Sequence, residues 1–228
     1  TSESFSSKRF APLQKKMGLI AFPQGGYYLI REQDAFTFIK CGKYKDRPSH
    51  ADNLHMDVWY KGENILCDGG SYKYNTDEGT VKYFAGTESH NTVMLDDHDQ
   101  MLKGPRFIWL NWSQAIEASL TETDNYYIFN GTVSCFTYLG KDIVHRRKII
   151  KKKNEPEWIV EDELRHKPEG MTMRQLWHSP GERVRFTSDI DPITKEGWRS
   201  LYYGEKESVL QTEFHTTDQL IETTIKLI

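Results

Sequence analysis

Cysteine is scarce in this 228-residue chain. Its three thiols, Cys41, Cys67 and Cys135, cannot all pair within one molecule. A disulfide framework is therefore excluded as the basis of the fold, and buried reduced thiols are the expectation. No uninterrupted apolar run approaches the roughly 18 residues that a membrane-spanning helix requires. A basic surplus is missing too: 30 Lys and Arg stand against 33 Asp and Glu, a formal net charge of −3. Nucleic-acid-binding domains usually carry the opposite balance. An acidic polysaccharide would have to be met by local clusters of Arg, Lys and His, because the global field does not attract it. There is no internal repeat and no low-complexity linker. Thr1-Ser2-Glu3-Ser4 lacks the basic-then-apolar layout of a secretory signal, so any such signal is expected upstream. Long amphipathic helices are absent as well. The best helical window, Lys8 to Gly18, is short and carries Pro12.

What the chain has is strand after strand. Aromatic residues make up 13% of it, and they recur with β-branched residues in short runs bounded by Gly, Asn or Asp. Gly26 to Glu32 and Ala35 to Cys41 read as a hairpin around Gln33-Asp34. Asn53 to Tyr60 alternates, with Leu54, Met56, Val58 and Tyr60 on one side and Asn53, His55, Asp57 and Trp59 on the other. Lys61 to Asn64 reads as a turn and Ile65 to Cys67 as the returning strand. Further strands are expected at Thr92 to Leu95, Gln114 to Leu120, Tyr126 to Phe129, Thr132 to Tyr138 and Val144 to Lys151. Others follow at Glu157 to Leu164, Met171 to His178, Arg183 to Ser188 and Gln219 to Leu227, with Asp189 to Gly197 as an exposed loop. Many short strands with turn signals between them predict an all-β antiparallel sandwich. Residues 1–15 read as a connecting segment and residues 16–228 as one domain.

The chemistry concentrates between Arg47 and Gln100, where unusual polar residues interrupt good strands. His50 and Asp52 are two apart and share a face of an extended chain. Asp68 ends the next strand, where a hairpin would return it beside Asp52, and His90 starts another. Three segments thus bring together carboxylates and imidazole, a ligand set that suits zinc, or less specifically calcium or manganese. A surface hydrogen-bond cluster uses the same residues. Two buried Asp side chains without a cation or basic partner would be costly.

The run SHADNLHMDVWYKGENILCDGGSYKYN, followed by GTESHNTVMLDDHDQ, resembles the C-terminal domain of heparinase II/III-like polysaccharide lyases. The shared pattern is a His-Ala-Asp start, an amphipathic strand, a Gly turn, an Asp-Gly end with Tyr beyond it, and a Ser-His-Asn-Thr-Val strand. The specific match spans roughly residues 47–100. The resemblance implies a β-sandwich that works with an N-terminal helical toroid, not contained in this chain, and a substrate cleft between them. It implies β-elimination on uronate-containing polysaccharide, with the toroid supplying a tyrosine acid/base and the chain inactive alone. By position, the catalytic histidine of the β-domain is His50, and the metal site maps onto Asp52, Asp68 and His90. Relatives often have His at the position of Asp52, which leaves the identity and presence of the metal open. A periplasmic or extracellular setting is also implied.

Other residues are candidates beside these. Tyr72, Tyr74 and Tyr83 follow the Asp68 turn, and Tyr74 is the second catalytic candidate. Tyrosines in strands more commonly form half-buried core edges. His55 flanks the site or lies on a solvated strand face. Arg146 and Arg147 are candidates for binding a sulfate or uronate, or charges that blunt an edge strand. His178 reads as structural. Two other functional classes remain open. One is a non-catalytic carbohydrate-binding or structural sandwich with Trp59, Trp109 and Trp112 as stacking platforms. The other is a jelly-roll lyase complete in one sandwich.

Overall fold

A computed structural model describes residues 15–228. Residues 1–14, and with them most of the Lys8 to Gly18 window, lie outside the described residues. The first sheet is an antiparallel meander of β1 (Gly18–Phe22), β2 (Tyr27–Arg31), β3 (Ala35–Lys40), β4 (Met56–Tyr60) and β5 (Glu63–Leu66). Its tightest turn is Lys61-Gly62, with φ of 50° and 84°. That is the mirror-image turn whose twist matches a two-residue hairpin, and glycine takes its second position without strain. One helix, α1 (Glu78–Ala85), follows, then a single 3-10 turn at Thr87–Ser89. Asp77 caps α1 by accepting from the Thr80 amide at 2.8 Å.

Short strands come next: β6 (Val93–Leu95), β7 (Leu102–Lys103) and β8 (Trp109–Leu110). Long ones follow in β9 (Gln114–Glu122), β10 (Tyr126–Ser134), β11 (Val144–Lys152), β12 (Glu157–Arg165) and β13 (Met173–Ser179). The chain ends in β14 (Val184–Thr187), β15 (Ile193–Arg199), β16 (Glu207–Thr216) and β17 (Leu220–Leu227). A six-stranded sheet runs β14-β17-β12-β11-β10-β9, a four-stranded one β15-β16-β13-β6, and β7-β8 is a separate ribbon. Every pairing is antiparallel, as expected of the sandwich.

The sheets enclose one continuous core. Along β12 every second residue is buried, Trp158, Val160, Asp162 and Leu164 in turn, so this strand shows one face to the core and one outward. Trp158 donates its indole N–H to Thr37 Oγ1 at 2.9 Å, which joins the six-stranded sheet to β3. Tyr28 meets Phe129 with ring centroids 5.2 Å apart, and Trp177 stacks on Phe186 at 6.0 Å. All three cysteines are free and buried.

Several elements depart from the sequence expectation. Asn130-Gly131 is not a turn but the middle of β10, and the chain leaves the strand at Ser134. A Cβ on Gly131 would press on Leu54 and on Phe129, so this glycine serves close packing. Residues expected in an exposed loop form β15, whose outer half is exposed but fully paired with β16. Both β16 and α1 had no matching expectation. The alternation starting at Asn53 begins only at Met56, because Leu54 has φ 61° and the His55 amide turns back to Asp52 O at 3.1 Å.

The sandwich buries a charged cluster. Asp162 accepts from Arg147 Nε at 2.7 Å and Nη2 at 2.6 Å, pairs with His145 Nε2 at 2.7 Å, and accepts from Gln175 Nε2 at 2.8 Å. Arg147, His145 and Asp162 are fully buried. Burial alone would raise the Asp162 carboxyl, but Arg147 and His145 hold it below the usual carboxylate range. Arg147 is therefore not a substrate-binding residue, because its guanidinium is spent inside the molecule. Removing one member of a buried ion pair costs about 3–5 kcal/mol, so Asp162→Asn is expected to lose that much in urea denaturation at pH 7. The contribution is complete above about pH 4, the unfolded carboxyl value, and is lost as pH falls below it. A variant as stable as the parent would refute this account.

Candidate active-site cleft

The polar residues between β3 and β6 fold as loops pinned by their own side chains. Asn53 accepts from the Gly42 amide at 2.8 Å and donates to Ser113 Oγ at 2.9 Å, while its backbone amide donates to Gln100 Oε1 at 2.9 Å. Asn91 is a hub. Its Nδ2 donates to Met56 O at 2.8 Å and Cys67 O at 3.1 Å, and its Oδ1 accepts from the His178 amide at 2.7 Å. Arg147 Nη1 donates to Leu54 O at 2.7 Å and to Asn91 O at 2.6 Å. The segments that carry His50 and His90 are thus anchored to the buried Asp162 cluster. Buried backbone groups need such partners wherever no strand ladder supplies them.

Asp68 is aimed by the two glycines after it. Gly70, with φ 73°, donates its amide to Asp68 Oδ1 at 2.6 Å, and a Cβ on it would collide with the Ser200 carbonyl. Gly69 packs against Ser89, beside His90, and donates to Ser89 O at 3.0 Å. The other carboxylate oxygen, Oδ2, lies 3.6 Å from both His55 Nε2 and His90 Nε2.

The hydrogen bonds assign the protons of two imidazoles. His90 Nδ1 lies 2.8 Å from Gly86 O, a pure acceptor, so Nδ1 carries hydrogen and Nε2 faces His50 and Asp68. His55 Nδ1 accepts from the Asn91 amide at 3.0 Å, so its proton sits on Nε2, toward Asp68. His50 Nδ1 lies 3.2 Å from His90 Nε2, and His50 Nε2 lies 3.3 Å from Ser71 Oγ. Burial, and then the neighbouring His90, lower the pKa of His50. Burial takes His55 down to about 4 and His178 to about 3. The burial of Asp68 opposes ionisation, but His90, His55 and the Gly70 amide outweigh it and keep the carboxylate charged.

His50, Asp68 and His90 form a possible metal-ligand group, each with a ligand atom within 4.8 Å of the others. His90 Nε2 faces a carboxylate oxygen, an arrangement that calls for a proton or cation between them. Two of the separations, 3.2 and 3.6 Å, are close to the roughly 3.3–3.6 Å edge of a tetrahedron built from 2.0–2.2 Å zinc bonds. The residues fit a cation, and their donor set does not by itself choose one. Asp52 is outside the group, contrary to the sequence assignment. Lys40 Nζ donates to both its oxygens at 2.6 and 2.7 Å, and the Tyr44 hydroxyl donates at 3.1 Å. Lys40 is the basic partner of Asp52 alone; Asp68 is half-buried and has the imidazoles of His55 and His90 beside it. A turn replaces the extended segment on which His50 and Asp52 would share a face, so the two point to different neighbours. Nor does β5 return Asp68 beside Asp52; it brings it to His55 and His90.

His50 and Ser71 open into a cleft of about 540 Å³ lined also by Arg47, Lys73, Tyr74, Lys103, Arg106, Phe107 and Trp109. Tyr74 shares this cleft with His50, but its hydroxyl makes no hydrogen bond among the described residues. Arg146 lines a different depression, with Glu117, Asn130 and Arg165 on the β9–β11 face. Trp109 is buried and donates Nε1 to Ser49 O at 3.1 Å. Trp112 donates Nε1 to Trp109 O at 2.6 Å. Of the three tryptophan platforms only Trp59 is exposed, and it lies in neither the cleft nor its rim. His55 is buried against the site, not on a solvated strand face. His178 is buried and hydrogen-bonded to Asn91. Ser71 and the cations of the cleft wall had no signal beyond their nearness to turn glycines.

The family model "Heparinase II/III-like, C-terminal" matches residues 14–219. Among solved structures, "Heparinase III-BT4657 gene product" superposes with a TM-score of 0.76 at 17% identity, covering 95% of this chain and 37% of that one. The heparan sulfate lyase HepC from Pedobacter heparinus superposes with a TM-score of 0.75 at 14% identity, covering 93% and 37%. The chain therefore spans little more than a third of the length of these structures. No curated protein sequence matches. Among the described residues no helix is long and apolar enough to cross a membrane.

The depressed values of His55 and His178 set a pH dependence. Each histidine is held neutral when folded, so its contribution is complete above the unfolded value near 6.5. It is lost as pH falls from there toward the folded values of about 4 and 3. Linkage makes this about 2 kcal/mol per histidine between pH 7 and pH 5. In the chelator-treated chain the urea midpoint should fall over that interval, and His178→Gln should flatten the dependence. A midpoint constant from pH 7 to pH 5 would contradict the neutral assignment.

Proposed function

This chain belongs to the heparinase II/III-like C-terminal family, and we propose that it is the β-sandwich half of an eliminative lyase for uronate-containing polysaccharide. The observation that carries this reading is a histidine, His50, lining a cleft with Arg47, Lys73 and Arg106. β-Elimination removes the proton at C5 of the uronate. The electrons form the C4–C5 double bond, the C4–O4 bond breaks, and O4 leaves with a proton. The uronate carboxylate must be neutralised for C5 to become acidic.

His50 serves this chemistry through Nε2, the atom it turns toward Ser71 and the cleft. Where Nδ1 donates to His90, Nε2 presents a lone pair that can take a proton. The lowered pKa of His50 keeps that lone pair free at neutral pH. Arg47, Lys73 and Arg106 supply positive charge to the carboxylate from the cleft wall. His50, Asp68 and His90 would hold a divalent cation, zinc being one of those that two imidazoles and one carboxylate accept. Bound there, it would supply a fixed positive charge and take His50 Nδ1 as a ligand. The His50 proton would then sit on Nε2, which becomes a hydrogen-bond donor to the carboxylate. The Gly70 amide orients Asp68 in either state, and His55 Nε2 lies 3.6 Å from its other oxygen. The tyrosine acid/base belongs to the helical half implied by the family resemblance. Tyr74 is assigned to the cleft rim.

Elemental analysis after dialysis tests the cation site. One metal per chain is expected, lost in Asp68→Ala and His90→Ala and kept in Asp52→Ala. Loss in Asp52→Ala with retention in His90→Ala would overturn the ligand assignment. The ultraviolet absorbance of unsaturated uronate tests the reaction. The longer protein should generate it and the isolated chain should not. Robust turnover by the chain alone would sink the two-half account, and none by the longer protein on any uronate polysaccharide would sink the lyase reading.

A further inference from the structure

Three exposed aromatic rings meet at the mouth of the cleft, each from a different loop. Tyr74 lies between β5 and α1, Phe107 in the β7–β8 turn, and Tyr203 between β15 and β16. Tyr74 is 5.7 Å from Tyr203 and stands edge-on to Phe107 at 6.2 Å, centroid to centroid. They are 64%, 47% and 66% exposed, an apolar cluster of the kind that marks a binding surface. Their loops are tied down. The Gly204 amide donates to Tyr72 O at 3.0 Å and the Ser200 amide to Gly69 O at 2.8 Å. The Gly104 amide donates to Ile108 O at 2.9 Å, and Lys103 Nζ donates to the carbonyls of Gly104 and Arg106.

Positive charge surrounds the rings and is unanswered. The Arg47 guanidinium lies 5.9 Å from the centre of the Phe107 ring, and Lys73 and Arg106 line the same cleft. No Asp or Glu lines that cleft. Among the described residues none of Arg47, Lys73 and Arg106 makes an ion pair, although ion pairs are plentiful elsewhere. A neutral sugar would leave these charges unmatched, and a simple polyanion would leave the rings unused.

We propose that Tyr74, Phe107 and Tyr203, with Arg47, Lys73 and Arg106, form a sugar subsite that grips an anionic pyranose unit at the cleft mouth. The C–H face of the ring lies on the aromatic platform, and its carboxylate or sulfate meets the cations. The subsite rests on the polysaccharide reading above and extends it. It adjoins His50 in the same cleft, adds the aromatic platform to the cations already assigned there, and is contained in this chain, so the chain binds substrate that it does not cleave. A cleft of about 540 Å³ lies within the roughly 300–1,000 Å³ usual for small ligands.

Calorimetric titration of the chain tests this with three probes of matched length: a heparan sulfate oligosaccharide, a neutral cello-oligosaccharide and polyglutamate. The sulfated, uronate-containing probe should bind tightest. Phe107→Ala and Tyr74→Ala should each weaken it about fivefold to tenfold, as loss of a stacking ring does. Arg47→Gln and Arg106→Gln should weaken it and flatten its salt dependence, with thermal midpoints unchanged in all four variants. Polyglutamate should be insensitive to the ring substitutions. Three results would each overturn the subsite: no binding of the heparan sulfate probe, equal binding of polyglutamate, or ring variants with parental affinity. Ring variants that keep their affinity but destabilise the longer protein would assign the rings to a protein contact instead. Binding in the chain without turnover by the longer protein would leave the subsite standing and remove the lyase reading. Turnover without ring-dependent binding would do the reverse.

Discussion

The carboxylate of Asp162 is the point on which the rest of the molecule is hung. Four N–H groups from Arg147, His145 and Gln175 close on its two oxygens, linking β11, β12 and β13 across two sheets. A carboxylate so enclosed stays ionised only while those donors remain. Arg147 then turns its remaining N–H groups outward to Leu54 O and Asn91 O. One buried charge thereby governs both the packing of the sheets and the spacing of the segments that carry His50 and His90. A hydrophobic replacement could fill the same volume, but it would leave Leu54 O without its donor and Asn91 O with the Met56 amide alone, at 3.3 Å.

Near the surface, charge is divided differently. Asp52 and Asp68 lie in the same polar region, and the fold gives them different partners. Lys40 takes Asp52, whereas Asp68 faces two imidazoles. In the function proposed, a ligand position and a substrate-facing position would fall on opposite nitrogens of the His50 ring, so occupancy at Nδ1 would decide what Nε2 offers.

Much of this was legible in the residues. Alternation in β2, β3, β11 and β12 follows from one buried face, and the Lys61-Gly62 turn from the left-handed conformation that glycine accepts. His50, Asp68 and His90 stood out as chemistry-bearing residues in a linked set of motifs. Arg147 and Asp52 were misread for a common reason. Sequence shows that a residue is charged but not where its counter-charge lies, and here those partners are 15 and 12 positions away on other strands. Gly131 was read as a turn because a glycine that makes room for Leu54 looks the same in sequence as one that bends the chain. The cleft wall was illegible because Arg47, Lys73 and Arg106 are scattered along the chain and converge only through loops. β16 escaped because its buried positions, Gln211, Thr212 and Glu213 among them, are polar, which removes the apolar signal of a covered strand.

Asn91 has a consequence for the order in which the molecule becomes functional. All three members of the possible cation group lie in the first half of the chain, and Asn91 is fixed beside them from both halves: by Met56 O, Cys67 O and His55 Nδ1 on one side, and by Arg147 and His178 on the other. A growing polypeptide therefore carries the imidazoles and the carboxylate before it carries two of the partners that hold Asn91 in place, and the site gains its last supports only once β11 and β13 have been made.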